Sequence, residues 1–373
     1  MLDQLCEVLQ TGDERGNGMI LRLRFPSGLT IHGLPTPNEY GGEWDLGPTW
    51  NYLVDADRPF LVDAGRWGTG GFLLDTIRQL GRPLQDLDFV LLSHGHEDHD
   101  GGLAEVVART GAAVRAHRVY GLLARKYPEM APDEHKRDFP AKCWHCFMPE
   151  SFYVPNCLAY HGESQARLVQ EIGDGRQPLA PGLETLHLPG HSPDALALLI
   201  GDEVLLVGDN LLPGITPWPT SLRMHRTTAR VLGAEYGQAG KLYGLRRYLR
   251  SLKKLKALAS ERPNLVVLPA HRLFHQGRIQ GMDLAERVDQ LTQHHLDRCA
   301  DILRMLADGP RDAEAIARGH FAPEKLKGPG IMMARNEVVC HCELLMEAGA
   351  ARRAGQAYEA TGAGDIQAFI LGV

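Results

Sequence analysis

The sequence predicts an α/β protein, a layered sandwich of strands and helices followed by a smaller, mostly helical domain. Three observations carry this prediction. Short apolar runs of strand length, bounded by turn residues, recur through the first 271 positions. Amphipathic helical stretches lie between them, the arrangement of sheets with helices outside. After about residue 283 the texture changes to helices and one short hairpin.

In order, MILRLRF (19–25) and GLTIHGL (28–34) read as strands around the turn Pro26-Ser27. NYLVDADRPFLVDAG (51–65) reads as a hairpin turning at Asp57 to Pro59, and DFVLLSH (88–94) and AAVRAH (112–117) as further strands. LETLHLPGH (183–191) follows, then ALALLI and EVLLVGD joined by Gly201-Asp202, a two-residue hairpin signal. LVVLPAH (265–271) is the last strand, and helices are expected over 69–80 and 101–110. LAERVDQLTQHHLDRCADILRML reads as one long helix ended by Gly309-Pro310. RDAEAIARGHF, NEVVCHCELLMEAGA and ARRAGQAYEATG then give helix, helix and β wing, a winged-helix pattern. The expected domains are 1–282, with an insertion at about 128–165 as a lid, and 283–373.

Forty Lys and Arg against 46 Asp and Glu leave a formal charge of −6 over 373 residues, which argues against a dedicated nucleic-acid binder. The first residues lack a basic segment followed by an apolar run, and nothing approaches a membrane span. The expectation is a cytoplasmic protein. Seven cysteines at uneven spacing point to thiols or metal ligands rather than disulfides.

Several strands deliver a polar residue where an apolar run meets a loop. VLLSH ends in His94, and the following loop adds His96, Asp98 and His99; LHLPGH ends in His191, LLVGD in Asp209, VVLPAH in His271 and PFLVD in Asp63. Ligands at strand ends sit on a stiff scaffold while loops stay open to substrate. Imidazole with carboxylate suits zinc, iron or manganese, and five His with two Asp suffice for two metals sharing a carboxylate.

SHGHEDHDGGL resembles the H-x-H-x-D-H signature of the metallo-β-lactamase superfamily of hydrolases, and LVDAG, LPGHSPD, VGDN and LPAH resemble its other motifs, over residues 51–271. The resemblance implies an αββα sandwich with two divalent ions. His94, His96 and His191 would hold one, Asp98, His99 and His271 the other, with Asp209 bridging and Asp63 supporting the ligand loop. Two ions about 3.5–4 Å apart acidify a shared water, so the implied nucleophile is a metal-bound hydroxide, with Asp98 and Asp209 as the catalytic carboxylates. No GxSxG elbow is present. VGDNLLPGITPWP resembles the glyoxalase II branch, which implies a thioester or acyl ester as substrate. Asp194 stands after Pro193 where that branch carries glycine, which puts substrate transfer from the branch in doubt.

A second cluster, Cys143-x2-Cys146-x10-Cys157-x3-His161, has Cys3His zinc spacing, with His145 able to replace His161; the alternative is ordinary thiols in a lid. Cys340-His341-Cys342 falls in a helix whose Val338, Cys342 and Leu345 share a face, so Cys342 is read as core.

KLYGLRRYLRSLKKLKAL (241–258) is amphipathic, with Leu242, Leu245, Leu249, Leu252 and Leu255 opposite Arg246, Arg247, Arg250, Lys253, Lys254 and Lys256. It is either a solvated face or a dock for an anionic ligand such as a phosphorylated thiol carrier or RNA. The winged-helix end resembles that of a hydrolase branch containing an endoribonuclease. Its expected recognition helix carries Glu337, Glu343 and Glu347 and no Lys or Arg, with Arg352 and Arg353 in the wing, so dimerisation, or packing beside the active-site mouth, is favoured over nucleic-acid reading. The reading is a binuclear hydrolase of a small thioester or ester. The rivals are an endoribonuclease or phosphodiesterase, a single-iron sulfur dioxygenase, and a non-enzymatic regulator.

Overall fold

The computed structural model describes residues 2–38, 46–126, 154, 155, 157, 159, 160, 162, 168–328 and 330–373. It divides into two compact units, one of 1–188, 194–215 and 262–283, the other of 189–193, 216–261 and 284–373. The C-terminal helices therefore group with 216–261, a stretch that the sequence assigns to the first domain.

The first unit holds two sheets. One is eight-stranded in sequence order: β1 (Cys6–Gln10), β2 (Ile20–Arg24), β3 (Thr30–Thr36), β4 (Thr49–Asp55), β5 (Phe60–Val62), β6 (Phe89–Leu91), β7 (Ala113–His117) and β8 (Gln170–Ile172). Strands β1 to β5 pair antiparallel, and β5 to β8 parallel. The other sheet contains β9 (Arg176–Ala180), β10 (Leu183–His187), β11 (Leu196–Ile200), β12 (Val204–Gly208) and β13 (Val266–Pro269), with β12 and β13 parallel.

Alternation builds the layers. Tyr52, Val54, Phe60, Val62, Phe89 and Leu91 point into a core shared with Leu196, Leu198, Ile200, Val204, Leu206 and Leu268 of the second sheet. The intervening Leu53, Leu61 and Val90 point the other way. They pack on Leu73, Leu74 and Ile77 of helix Gly70–Gln79 and on Leu103 and Val106 of helix Leu103–Thr110. Period-two side chains on strands and period-3.6 side chains on helices meet along these faces.

Strands β1, β8 and β9 escape the sequence reading. The first has the burial pattern of an exposed edge, and the others carry few apolar residues. The expected two-residue hairpin has three loop residues, because Ile200 pairs with Val204 and Gly201 takes φ 53°.

In the second unit lie helices Leu245–Glu261, Leu284–Leu306, Ala313–His320 and Gly330–Glu347, then the hairpin Ala351–Ala354 with Ala357–Ala360. Arg311 bridges to Tyr358 beside that hairpin. No helix among the described residues is long and apolar enough to cross a membrane.

Candidate metal centre

The site lies at the C-terminal ends of parallel strands in the first unit. Asp63 follows β5, His94 lies three residues after β6, Asp209 follows β12 and His271 lies two after β13. Backbone bonds draw these ends together: Leu196 N–H donates to Ser93 O at 2.7 Å, Trp50 N–H to Ala270 O at 2.7 Å and Ala270 N–H to Gly208 O at 3.1 Å.

Asp63 is the buckle of the ligand loop. It has φ 64°, a left-handed conformation rarely held by a residue with a side chain. This aims its buried carboxylate back under the loop. Oδ1 accepts from Ser93 N–H at 2.7 Å and Oδ2 from the Ser93 hydroxyl at 2.8 Å and from His99 Nδ1–H at 2.9 Å. With its proton on Nδ1, His99 presents the Nε2 lone pair to the site.

His96 precedes a one-turn helix, Glu97–Asp100, and both His99 N–H and Asp100 N–H donate to His96 O. The turn packs against the loop after β5 with no space for side chains between them. A Cβ on Gly101 would stand 2.2 Å from Trp67 N, and one on Gly102 2.3 Å from Ala64 O. Glu97 completes the join, accepting from Trp67 N–H at 2.9 Å, with Arg66 Nε 3.7 Å away.

Asp98 and Asp209 face His99 and His271. His99 Nε2 lies 3.6 Å from Asp98 Oδ2 and 3.6 Å from Asp209 Oδ2, while His271 Nε2 lies 3.1 Å from Asp98 Oδ2 and 3.5 Å from Asp209 Oδ1. His271 Nδ1–H donates to Pro48 O at 3.2 Å, so its Nε2 also turns inward as a lone pair. Asn38 Nδ2 and the Thr49 hydroxyl donate to Asp98 Oδ2 at 2.9 and 3.3 Å. His94 Nε2 lies 3.0 Å from His96 Nδ1.

Two overlapping ligand groups result, His94–His99–Asp209 and Asp98–His99–His271, each with its donor atoms within 4.8 Å of one another. The buried Nε2 atoms of His99 and His271 make no aligned hydrogen bond. The 3.1 Å approach of His271 to Asp98 is within ion-pair distance but off the N–H axis. Inward imidazole lone pairs facing two carboxylates are a donor set for divalent cations.

The electrostatics agree. Burial alone would raise the Asp98 carboxyl, but His99 and His271 outweigh it and hold the group below the usual carboxylate range. Asp209 is lowered in the same way, against its burial, by His271 and His99. Burial opposes a proton on His271, yet Asp209 and Asp98 push its pKa up to about 9. His99 is likewise raised against burial by Asp98, Asp209 and Asp63. The surroundings of these four groups favour positive charge, as a cation site does.

Six of the seven expected ligands lie in the first unit, and Asp63 accepts hydrogen bonds from Ser93 and His99 of the ligand loop. His191 belongs to the segment 189–193 of the second unit, where its Nδ1–H donates to Trp218 O at 2.9 Å. Sequence reasoning missed Asn38, Thr49, Ser93, Glu97 and Tyr120, whose hydroxyl donates to Asp100 Oδ2 at 2.9 Å. Only Ser93 carried a signal, as a polar residue ending the buried run VLLS.

Of the cysteine cluster, Cys157 is buried, while Cys143, Cys146 and His161, with His145, lie outside the described residues. Cys340 and Cys342 are core residues of helix Gly330–Glu347, and Cys340 Sγ donates to Pro219 O at 3.4 Å. Burial pushes both thiols up.

The basic helix, Leu245–Glu261, spends its charge inside the second unit. Arg246 pairs with Glu347 at 3.7 Å and lies over the Phe369 ring, Lys253 donates to Val373 O at 2.7 Å, and Lys256 pairs with Asp289. The three glutamates of helix Gly330–Glu347 also find their partners within the second unit. Glu337 pairs with Arg298, and Glu343 accepts from the Ser221 hydroxyl and Leu222 N–H, each at 2.8 Å.

The model of the metallo-beta-lactamase superfamily matches residues 44–271. A lactamase-like protein, aptB, of Emericella nidulans is 27% identical over 175 residues, 46% of this chain and 42% of that protein. An N-acyl homoserine lactonase of a Bacillus species is 24% identical over 198 residues, 47% of this chain and 65% of that protein. The chain thus spans less than two thirds of either relative. The crystal structure of a metallo-beta-lactamase family protein from Thermus thermophilus is 25% identical with a TM-score of 0.65, covering 88% of this chain and 98% of that one.

Proposed function

Because the chain belongs to the metallo-β-lactamase superfamily, we propose that it is a binuclear metal-dependent hydrolase of a small thioester or acyl ester. The observation that carries this reading is the sharing of Asp209. It lies 3.6 Å from His99 and 3.5 Å from His271 and groups with His94 as well, the place of a bridging carboxylate. The family resemblance adds His191 to His94 and His96 as ligands of one ion and leaves Asp98, His99 and His271 for the other.

Divalent ions held there would supply an acidified water and polarise the scissile carbonyl. The chain's own groups do the rest. Asn38 and Thr49 donate to Asp98 Oδ2, the oxygen turned toward His99 and His271, and so orient the carboxylate that takes the proton of the attacking water. That proton passes to the departing thiol or alcohol, so ester and water become acid and thiol or alcohol. Asp63 and Pro48 O hold His99 and His271 in the tautomers that ligation requires.

The similarity to a lactonase favours an ester over a phosphodiester. The internal pairing of Arg246, Lys253 and Lys256 weakens the case for RNA. The three helices and the hairpin that Arg311 bridges support a winged helix, used for self-association rather than nucleic acid.

The test compares initial rates of zinc- and manganese-loaded protein on an acyl thioester, a lactone and an aryl phosphodiester. The expected result is at least about 100-fold preference for the acyl substrates. Faster phosphodiester cleavage would overturn the ester reading, and oxygen consumption with bound iron would overturn the hydrolase.

A further inference from the structure

The segment 189–193, which carries His191, belongs to the second unit together with the C-terminal helices. His191 is buried, and its Nδ1–H donates to Trp218 O at 2.9 Å. The segment is strapped down on both sides of the ring's attachment. Thr220 N–H and the Thr220 hydroxyl both donate to Gly190 O, each at 2.7 Å, and the Ser251 hydroxyl donates to Pro189 O at 2.8 Å. Gly190 has φ 145° and lies so close to helix Leu245–Glu261 that a Cβ would stand 2.4 Å from Tyr248 Cα.

The next carbonyl after Trp218 is held from helix Gly330–Glu347. Asn336 Nδ2 donates to Pro219 O at 3.2 Å, and Cys340 Sγ donates to it at 3.4 Å. The two donors are buried and stand four residues apart, on one face of the helix.

We infer that Asn336 and Cys340 are positioning residues for His191: they pin the Trp218–Pro219 segment from which the His191 ring is hung.

The inference rests on the reading of His191 as a metal ligand in the proposed function, and it gives the C-terminal helices a part in that site. A histidine offers a metal only the nitrogen without the proton, and the hydrogen bond at the other nitrogen decides which one that is. Here that bond ends on a backbone carbonyl, so the ring is held only as firmly as residues 218 and 219. The proline ring locks φ at Pro219 and so joins the Trp218 carbonyl plane rigidly to the Pro219 α-carbon. Pinning Pro219 O removes the remaining rotation between the two carbonyls. The choice of side chains argues the same way. Asn336 Oδ1 is buried without a hydrogen-bond partner among the described residues, a cost that an apolar residue would avoid. A residue serving packing alone has no need of that amide, whereas one that holds Pro219 O does.

The test follows the His191 ring itself. Full-length protein with 15N-labelled histidine is measured zinc-loaded and after metal removal, at a pH where the His191 ring is neutral. Long-range proton–nitrogen spectra of the metal-free protein should show His191 as the single Nδ1–H tautomer. Asn336→Leu with Cys340→Ala should convert it to an exchanging mixture of both tautomers, with the His99 and His271 signals unmoved. Zinc affinity at one of the two sites should fall about 10- to 100-fold. Asn336→Leu with Cys340→Ser returns a donor to Pro219 O and should recover the single tautomer. An unchanged His191 tautomer in the folded double variant overturns the inference, as does an Nε2–H tautomer in the unsubstituted protein. A mixed tautomer with zinc affinity unaltered sustains the positioning role and overturns His191 as a ligand instead. If the double variant does not fold, Cys340→Ala alone, one atom smaller, carries the same measurement.

Discussion

Asp63 Oδ2 lies 2.9 Å from His99 Nδ1, joining a left-handed residue at the end of one strand to a histidine 36 positions later. The bond fixes which nitrogen of His99 carries the proton and therefore which faces the metal site. Asp63→Asn keeps a residue tolerant of φ 64° but turns an amide donor or a weaker acceptor toward His99. Zinc affinity should fall about 10- to 100-fold with the circular dichroism spectrum unchanged. A competition titration against a chelating dye measures this, and unaltered affinity would show that Asp63 serves the fold alone.

Asp209→Ala removes the carboxylate that lies within 3.6 Å of both His99 and His271 and groups with His94. The expected outcome is loss of bound metal together with a fall in ester hydrolysis of at least about 100-fold. Full activity in this variant would sink the binuclear mechanism. Metal content and rate are to be measured on the same preparation.

Gly101 has no room for a methyl group, because the 2.2 and 2.3 Å approaches are to the backbone atoms Trp67 N and Glu97 O. Gly101→Ala should destabilise the protein by about 3 kcal/mol or prevent folding. Gly111, at φ 72° with open space where a Cβ would stand, should lose only about 1 kcal/mol as alanine. Denaturant midpoints of the two variants test the contrast.

A buried imidazole pair in the second unit predicts acid sensitivity. His341 Nδ1–H donates to Glu337 O at 2.7 Å, so its Nε2 accepts from His295 Nδ1–H at 3.0 Å, and both rings are neutral. Burial, with further lowering by nearby Arg298 and His294, takes the His341 pKa down from 6.5 to about 4. A folded-state pKa below the unfolded one gives stability that is complete above about pH 6.5 and is lost as pH falls toward 4. The loss from His341 is about 3 kcal/mol. Urea unfolding between about pH 7.5 and 4 should show stability declining through that window, and His341→Gln should flatten the decline.

Thiol chemistry offers a further check. Burial raises Cys340 and Cys342 and takes Cys299 up to about 12, the charge of Arg298 only partly opposing it. None of the three should react with iodoacetamide at about pH 8 in the native protein, and all should react once it is unfolded. Mass spectrometry of the labelled peptides distinguishes the two.

The sequence by itself determined which residues could bind metal and where each would stand. Apolar alternation set the strands, and His94, Asp209 and His271 stood out because a polar residue at the end of a buried run has little structural reason to be there. The spacing of His94, His96, Asp98 and His99 was legible because all four belong to one loop. The tertiary structure decided the partnerships. Asn38, Thr49 and Glu97 look ordinary in sequence, and they matter only because strand closure brings them to the Asp98 carboxylate and the Trp67 loop. Glu337, Glu343 and Glu347 read as an acidic helix face until folding supplied Arg298, Ser221 and Arg246. The physical reason is the same in each case: strand and helix periods are local, whereas a hydrogen bond or ion pair between distant positions exists only once the chain has closed.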